Sequence, residues 1–328
     1  MLLLTVTTAL MLNRASIQIQ QVKVVPSLHA LALAASPTGS RLAATFEDNS
    51  VRIFDAAAGE TVKVLGKHSQ PAWAVAWSSN GKLIASGDDT GRIWVWDVSS
   101  GTRTKQYRPC NRGIQSLSFN RTSTLIMSVG KDDTVGIFDL STGKLRVIKG
   151  HGANYYGGRF MPNGDRFVAA TLLEGARVYS GSGQIVGTMH GHAGQGALDS
   201  DVNPAGTLLA TAGKDAKATL WSLPGGKPVG NLVGHQDWVM AVRFSPNGKL
   251  IATSCGVDRS VRVWDVVTRR TIGTIDNSSG IGSPLCWTAD GKYLVTRSVD
   301  DALVVNQITP SQSATAANPI HPVRRRRR

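Results

Sequence analysis

The sequence predicts an all-β fold, a seven-bladed β-propeller of four-stranded antiparallel blades, on three observations. A strand-like motif returns at a near-constant step, a tight-turn signature returns with it, and a spare strand precedes the first unit. The motif reads Val-Arg-Ile-Phe-Asp at 51–55, Ile-Trp-Val-Trp-Asp at 93–97, Val-Gly-Ile-Phe-Asp at 135–139 and Val-Arg-Val-Trp-Asp at 261–265. Its aromatic position falls at Phe54, Trp96, Phe138, Tyr179, Trp221 and Trp264, with Asn306 in the last slot, so the steps are 42, 42, 41, 42, 43 and 42 residues. A fixed period in the low forties with a strand at each mark is the signature of a propeller blade.

The sixth copy justifies the strands one by one. Gly234-His235 opens it, and an alternating run at 238–244 follows, then the turn Ser-Pro-Asn-Gly at 245–248. A second run at 250–254, a short turn holding Asp258 and the motif at 261–265 complete it. Alternating apolar residues, β-branched side chains and Gly, Pro and Asn in the gaps read as successive antiparallel strands. The turn recurs at 36–39, 78–81, 161–164, 203–206 and 288–291. The early Pro, in the copies that carry one, presets φ, and the closing Gly accepts positive φ. No single blade buries both of its own faces, so stacking around a ring is required.

Closure of the ring is also legible. The segment Gln-Val-Lys-Val-Val at 21–25 resembles Thr-Val-Lys-Val-Leu at 61–65, the outer strand that follows blade one. Blade seven stops after residues 303–308 without an outer strand of its own. The N-terminal segment is therefore expected to complete blade seven and cover its open edge.

These residues resemble the tryptophan–aspartate (WD) repeat family of β-propellers, over roughly residues 16 to 308. Gly-His starts stand at Gly150-His151, Gly191-His192 and Gly234-His235, with a relative at Lys67-His68. The resemblance implies a buried hydrogen-bonded tetrad of His, Ser or Thr, Asp and Trp in each complete blade. Carried onto this chain, blade six supplies His235, Ser254, Asp258 and Trp264, and blade five supplies His192, Thr211, Asp215 and Trp221. Blade two supplies His68, Ser86 and Trp96, with Asp89 one residue from the expected slot. In such a set the indole offers one N–H, the hydroxyl accepts and donates, and the carboxylate orients the imidazole. The other blades depart from the pattern. Blade three has Ser128 and Asp132 but Phe138, and blade four has His151 but Ala169, Leu173 and Tyr179. Blade one has Asp48 and Phe54 without the His, and blade seven has Thr296 and Asp300 but ends in Asn306. A repeated buried network is a structural feature, so none of these His–Ser–Asp sets is expected to be a catalytic triad.

Composition agrees with a turn-rich β protein, with 35 Gly among 328 residues. The expected domains are an apolar N-terminal extension at 1–15, the propeller at 16–308 and an Arg-rich tail at 309–328. Three cysteines, Cys110, Cys255 and Cys286, fall on different blades without metal-ligand spacing, which points to reduced thiols and a cytoplasmic setting. Residues 1–12 have the length of a signal core but no positive flank, leaving secretion or a periplasmic location as an alternative. They are too short to span a bilayer. Of the net charge of +14, five units belong to Arg324, Arg325, Arg326, Arg327 and Arg328. That tail attracts polyanions such as nucleic acid, and in a eukaryote it would suit nuclear import.

No phosphate loop, Cys-x-x-Cys pair or metalloprotease motif is present, and the repeats show no polar set converging on the channel. Gly181-Ser-Gly183 resembles part of a nucleotide loop but falls in a turn of blade four. No catalytic residue, metal site or cofactor is therefore expected. The family resemblance implies a scaffold that binds other proteins, within a larger complex, through the top rim, where the loop entering each inner strand meets the turn between the second and third strands. Aligned positions there include His29, Leu31, Glu47, Pro71, Asp88, Gln115, Asn154, Leu172, Val257, Ile281 and Val299. Trp73, Tyr156, Trp238, Met240, Lys131 and Lys214 are the expected partner-binding residues, because aromatic anchors dominate interface energetics. Polyanion binding through the tail and an enzyme with a central-channel site are the alternatives.

Overall fold

The computed structural model describes residues 17–25, 29–150, 152–276, 278–279 and 284–310. The N-terminal extension, His151, Ile281 and the arginine tail lie outside the described residues. The described chain folds into seven four-stranded antiparallel sheets arranged as a propeller. Strands are called a to d from the channel outward. In blade six they are Val239–Phe244, Leu250–Cys255, Ser260–Asp265 and Thr271–Ile275. Strands b and c there are buried along nearly their whole length, while strand d alternates between half-buried and exposed. The turn glycine Gly248 closes the a–b turn at φ +68°, a backbone angle that costs glycine nothing.

The core lies between blades. Ala210 and Leu220 of blade five pack against Val242, Ile251 and Trp264 of blade six, and each seam around the ring repeats the pattern. A fully buried Trp such as Trp264 contributes on the order of 3–5 kcal/mol relative to Ala.

Blade seven is closed as expected. Ile17–Val25 runs antiparallel to Leu303–Pro310, with Val25 opposite Leu303 and Gln21 opposite Asn306, and one register shift between Gln21 and Lys23. Its sheet order places this first strand outermost, beside three strands from the end of the chain. Among the described residues no helix is long and apolar enough to cross a membrane.

Strand a of each blade lines the channel. The second-to-last residue of strand a defines one layer of equivalent positions: Ala34, Ala76, Ser118, Arg159, Asp201, Arg243 and Cys286. Most are small, as a narrow axis demands, but blades four to six place three charges there.

Candidate functional site

The buried networks are built by register. In each complete blade the Trp of strand c stands opposite an aliphatic residue of strand b, and the hydroxyl lies two residues further on, on the same face. In blade five Trp221 is opposite Leu209, so Thr211 meets it. The indole Nε1 donates to Thr211 Oγ1 at 2.9 Å, the hydroxyl bonds His192 Nε2 at 2.7 Å, and His192 Nδ1 donates to Asp215 at 2.9 Å. The Gly before His is needed because Trp221 packs against it, and a Cβ on Gly191 would lie 2.6 Å from the ring.

Two sequence assignments are corrected. In blade six Trp264 stands opposite Ile251, so the bonded hydroxyl is Thr253, not Ser254. Thr253 Oγ1 bonds His235 Nε2 at 2.7 Å and accepts from Trp264 Nε1 at 2.8 Å, and His235 Nδ1 donates to Asp258 at 2.8 Å. The b–c turn of blade six is one residue longer than in blade five, so counting back from the Trp lands one position late. Ser254 points to the opposite face, where its buried hydroxyl has no partner among the described residues.

In blade two the carboxylate is Asp88, not Asp89. Asp88, the last residue of strand b (Leu83–Asp88), accepts from His68 Nδ1 at 3.0 Å, while Ser86 bonds His68 Nε2 at 2.7 Å and Trp96 at 2.8 Å. Asp88 is thus fully buried and absent from the rim. Asp89 turns outward to Lys131 at 2.6 Å.

Blades four and seven use substitutes, whereas blades one and three place Phe54 and Phe138, which have no N–H to donate, at this position. Asn306, opposite Leu294, donates to Thr296 at 3.3 Å in place of an indole. Tyr179 of blade four bonds the hydroxyl of Tyr155, and Arg177 donates to Tyr155 at 3.4 Å while gripping Glu174 at 3.0 and 2.6 Å.

On the top face the structure gathers four of the six expected rim residues. Trp73, Lys131, Tyr156 and Met240 border one cavity of about 330 Å³ at the channel mouth, with Leu31, Leu33 and Leu285 on its wall. Trp238 and Lys214 stand outside it. Both tryptophans are open to solvent, Trp73 at 39% and Trp238 at 45%, and each lies beneath a lysine: Lys131 Nζ is 5.7 Å from the Trp73 ring and Lys214 Nζ 4.4 Å from that of Trp238. Leu31 is buried, and His29 pairs with Glu47 at 2.5 Å.

The channel carries what sequence reading missed. Arg159, Asp199, Asp201 and Arg243 converge there from strands a of blades four, five and six, contrary to the expectation of no converging polar set. Arg159 Nε lies 2.9 Å from Asp201, and Arg243 pairs with Asp199. Both aspartates also accept backbone N–H groups of blade six, Val242 at 3.1 Å and Phe244 at 2.8 Å. Ser116 and Ser118 do the same for Gly158 at 3.2 Å and Phe160 at 3.1 Å. An inner strand has no neighbour on its channel side, and these side chains of the preceding blade satisfy its open N–H groups. Burial pushes the Asp201 carboxyl above its ordinary range, against the pull of Arg159 and Arg243. The sequence signal for it is charge at a register position that is otherwise small.

Comparison with known proteins agrees with the architecture. Residues 23–55, 59–97, 183–222 and 226–265 match the family model described as WD domain, G-beta repeat. Three of these matches end in the blades with complete tetrads. The chain is similar to the small ribosomal subunit protein RACK1 of Drosophila melanogaster, 33% identical over 132 residues, which is 37% of this chain and 40% of the relative. It is similar to nuclear distribution protein nudF 1 of Talaromyces marneffei, 36% identical over 112 residues, 33% of this chain and 24% of the relative. A third relative is pre-mRNA-processing factor 19 of Oryza sativa subsp. japonica, 23% identical over 196 residues, 57% of this chain and 37% of the relative. The alignments thus span less than half the length of each of these proteins.

Proposed function

From a seven-bladed propeller that carries WD repeats, we propose that this protein is a non-catalytic scaffold that binds partner proteins through its top face. The observation that supports this reading most is the placement of Trp73, Tyr156 and Met240 around one open cavity, with Trp238 exposed beyond it. Aromatic and Met side chains on a rigid rim bury area without ordering a loop, so little of the gain is lost to entropy. The relatives are named for a ribosomal subunit, nuclear distribution and pre-mRNA processing, and the first of these names is that of a component of a larger assembly. A cytoplasmic location is part of the same reading.

Lys131 and Lys214 give the rim its positive edge and favour a partner with an acidic patch. Because Lys131 is already held by Asp89, its role is smaller than that of Lys214. The channel charges act within this reading as clasps between blades, since both aspartates are engaged by neighbouring backbone and guanidinium groups.

The test is affinity capture of binding proteins with the full chain, identified by mass spectrometry. Trp73→Ala and Trp238→Ala are each expected to weaken capture about ten-fold or more while the ring stays folded. Capture that survives both substitutions but is lost when residues 324–328 are removed would replace the scaffold with polyanion binding through the tail.

A further inference from the structure

We propose that blade six holds a zinc ion between Cys255 Sγ, His235 Nδ1 and a carboxylate oxygen of Asp258. One ligand atom from each of these residues lies within 4.8 Å of the other two, and Nδ1 is the imidazole nitrogen beside Asp258, at 2.8 Å, while Nε2 is bonded to Thr253. Zinc ligands at about 2.0–2.3 Å from the metal stand roughly 3–4 Å apart, so side-chain adjustments of about 1 Å close the site. The carbonyl oxygen of Asp237 is 3.5 Å from Cys255 Sγ and offers a fourth donor.

Blade six differs from its counterparts in the way this site requires. Cys255 stands two residues after the network hydroxyl. The same position in blade five is Gly213, where any Cβ would run into His192. In blade two it is Asp88, which is itself the partner of His68. The extra residue in the b–c turn of blade six makes room for a thiol beside the imidazole. No spacing motif in the sequence reveals this, since only the fold brings residues 235, 255 and 258 together.

The donor set selects the ion. Thiolate, imidazole and carboxylate together suit Zn²⁺, whereas Ca²⁺ and Mg²⁺ take oxygen ligands. One thiolate and one carboxylate also balance the charge of the ion, so a neutral unit replaces the buried polar groups. Binding moves protons in a defined way. Cys255 releases its thiol proton to solvent, and the metal bonds sulfur. The His235 proton shifts from Nδ1 to Nε2, which then donates to Thr253 Oγ1, and the Thr253 hydroxyl turns to a backbone carbonyl as Thr211 does toward Thr219 at 3.5 Å. The Trp264 bond to Thr253 is kept, and one proton leaves per ion.

Cobalt titration of the chelator-treated full-length chain, followed by absorption, tests this. One equivalent of Co²⁺ is expected to give a thiolate-to-metal charge-transfer band with tetrahedral ligand-field bands, and zinc should displace it. Cys255→Ser and Cys255→Ala should each lose the charge-transfer band while far-ultraviolet circular dichroism reports whether the ring remains. Cys110→Ser and Cys286→Ser should keep it. Calorimetry with zinc in two buffers should show one proton released per ion. Absence of the band in the wild-type protein overturns the proposal whatever the variants do, as does a band that survives in a folded Cys255 variant.

Discussion

Blades four and six share one backbone register but join their strands by different chemistry. Tyr179 faces Phe167 in blade four as Trp264 faces Ile251 in blade six. Two residues on, blade six has Thr253 and blade four has Ala169, so an indole N–H in blade four would find no acceptor there. A phenol is longer and both donates and accepts. It reaches Tyr155 instead, and Arg177 and Glu174 finish a chain of bonds that His235 and Asp258 finish in blade six. Phe167 lies flat on Tyr179, with ring centroids 4.8 Å apart. What these two blades share is therefore a buried polar path from strand c toward the top of the blade, not one set of residues. The family model finds blade six and passes over strands a to c of blade four, because it reads residue types.

The largest effect should come from cutting the path in blade six. Thr253→Val leaves His235 Nε2 and Trp264 Nε1 both unpaired, each at roughly 1–3 kcal/mol, and a denaturant midpoint measures the sum. A loss no greater than that of an ordinary surface substitution would show that the network adds nothing to stability.

Acid should separate the two blades next. Burial pulls the His235 imidazole below its ordinary value of 6.5, despite the attraction of Asp258. The unfolded chain then takes up that proton first, so stability falls as pH drops below about 6.5 and through the lower folded value. Burial raises Asp258, but its bonds from His235 and Ser260 prevail and leave it below its ordinary 3.8. Its contribution is present above pH 3.8 and is lost as pH falls through the folded value, in the same direction but later. For the chelator-treated, metal-free protein, melting temperature between pH 7 and 5 should fall for the wild type and flatten for His235→Gln. Tyr179→Phe should leave that slope unchanged, since among the described residues no imidazole enters the network of blade four.

A smaller loss is expected from Tyr179→Phe itself, about 1 kcal/mol by chemical denaturation, because Tyr155 keeps its contact with Arg177. The smallest effect belongs to Ser254→Ala. Its hydroxyl is buried without a partner among the described residues, so removal should be neutral or stabilising by up to about 1 kcal/mol. Equal losses at Thr253 and Ser254 would contradict the register described here.

Sequence reading reached the blade number, the turns and the closing strand because each rests on periodicity, which survives the loss of individual residues. It reached Thr211, His192 and Asp215 because the turn in blade five has the common length. It missed Thr253 because one inserted residue shifts a count made along the chain, whereas pairing across the sheet is unaffected. Asp88 and Asp89 are neighbours of identical chemistry on opposite faces, and only the strand's end decides between them. Arg159, Asp199, Asp201 and Arg243 escaped notice because they are not repeated. They are legible only once strands a are laid side by side around the axis.

Pairing of Ile17–Val25 with Leu303–Pro310 also sets an order in time. A ribosome adding about 5–20 residues per second takes roughly 15–60 s to make the chain between these partners. Throughout that interval six blades can form in sequence, each on the edge of the last, while the first strand has nothing to pair with. Its bare edge is then the part of the nascent protein most open to wrong pairing, including with a neighbouring copy on the same message. Alternation of Gln and Lys with Ile and Val along Ile17–Val25 gives one side of that waiting strand a polar face. The ring is therefore finished by the first residues to fold last.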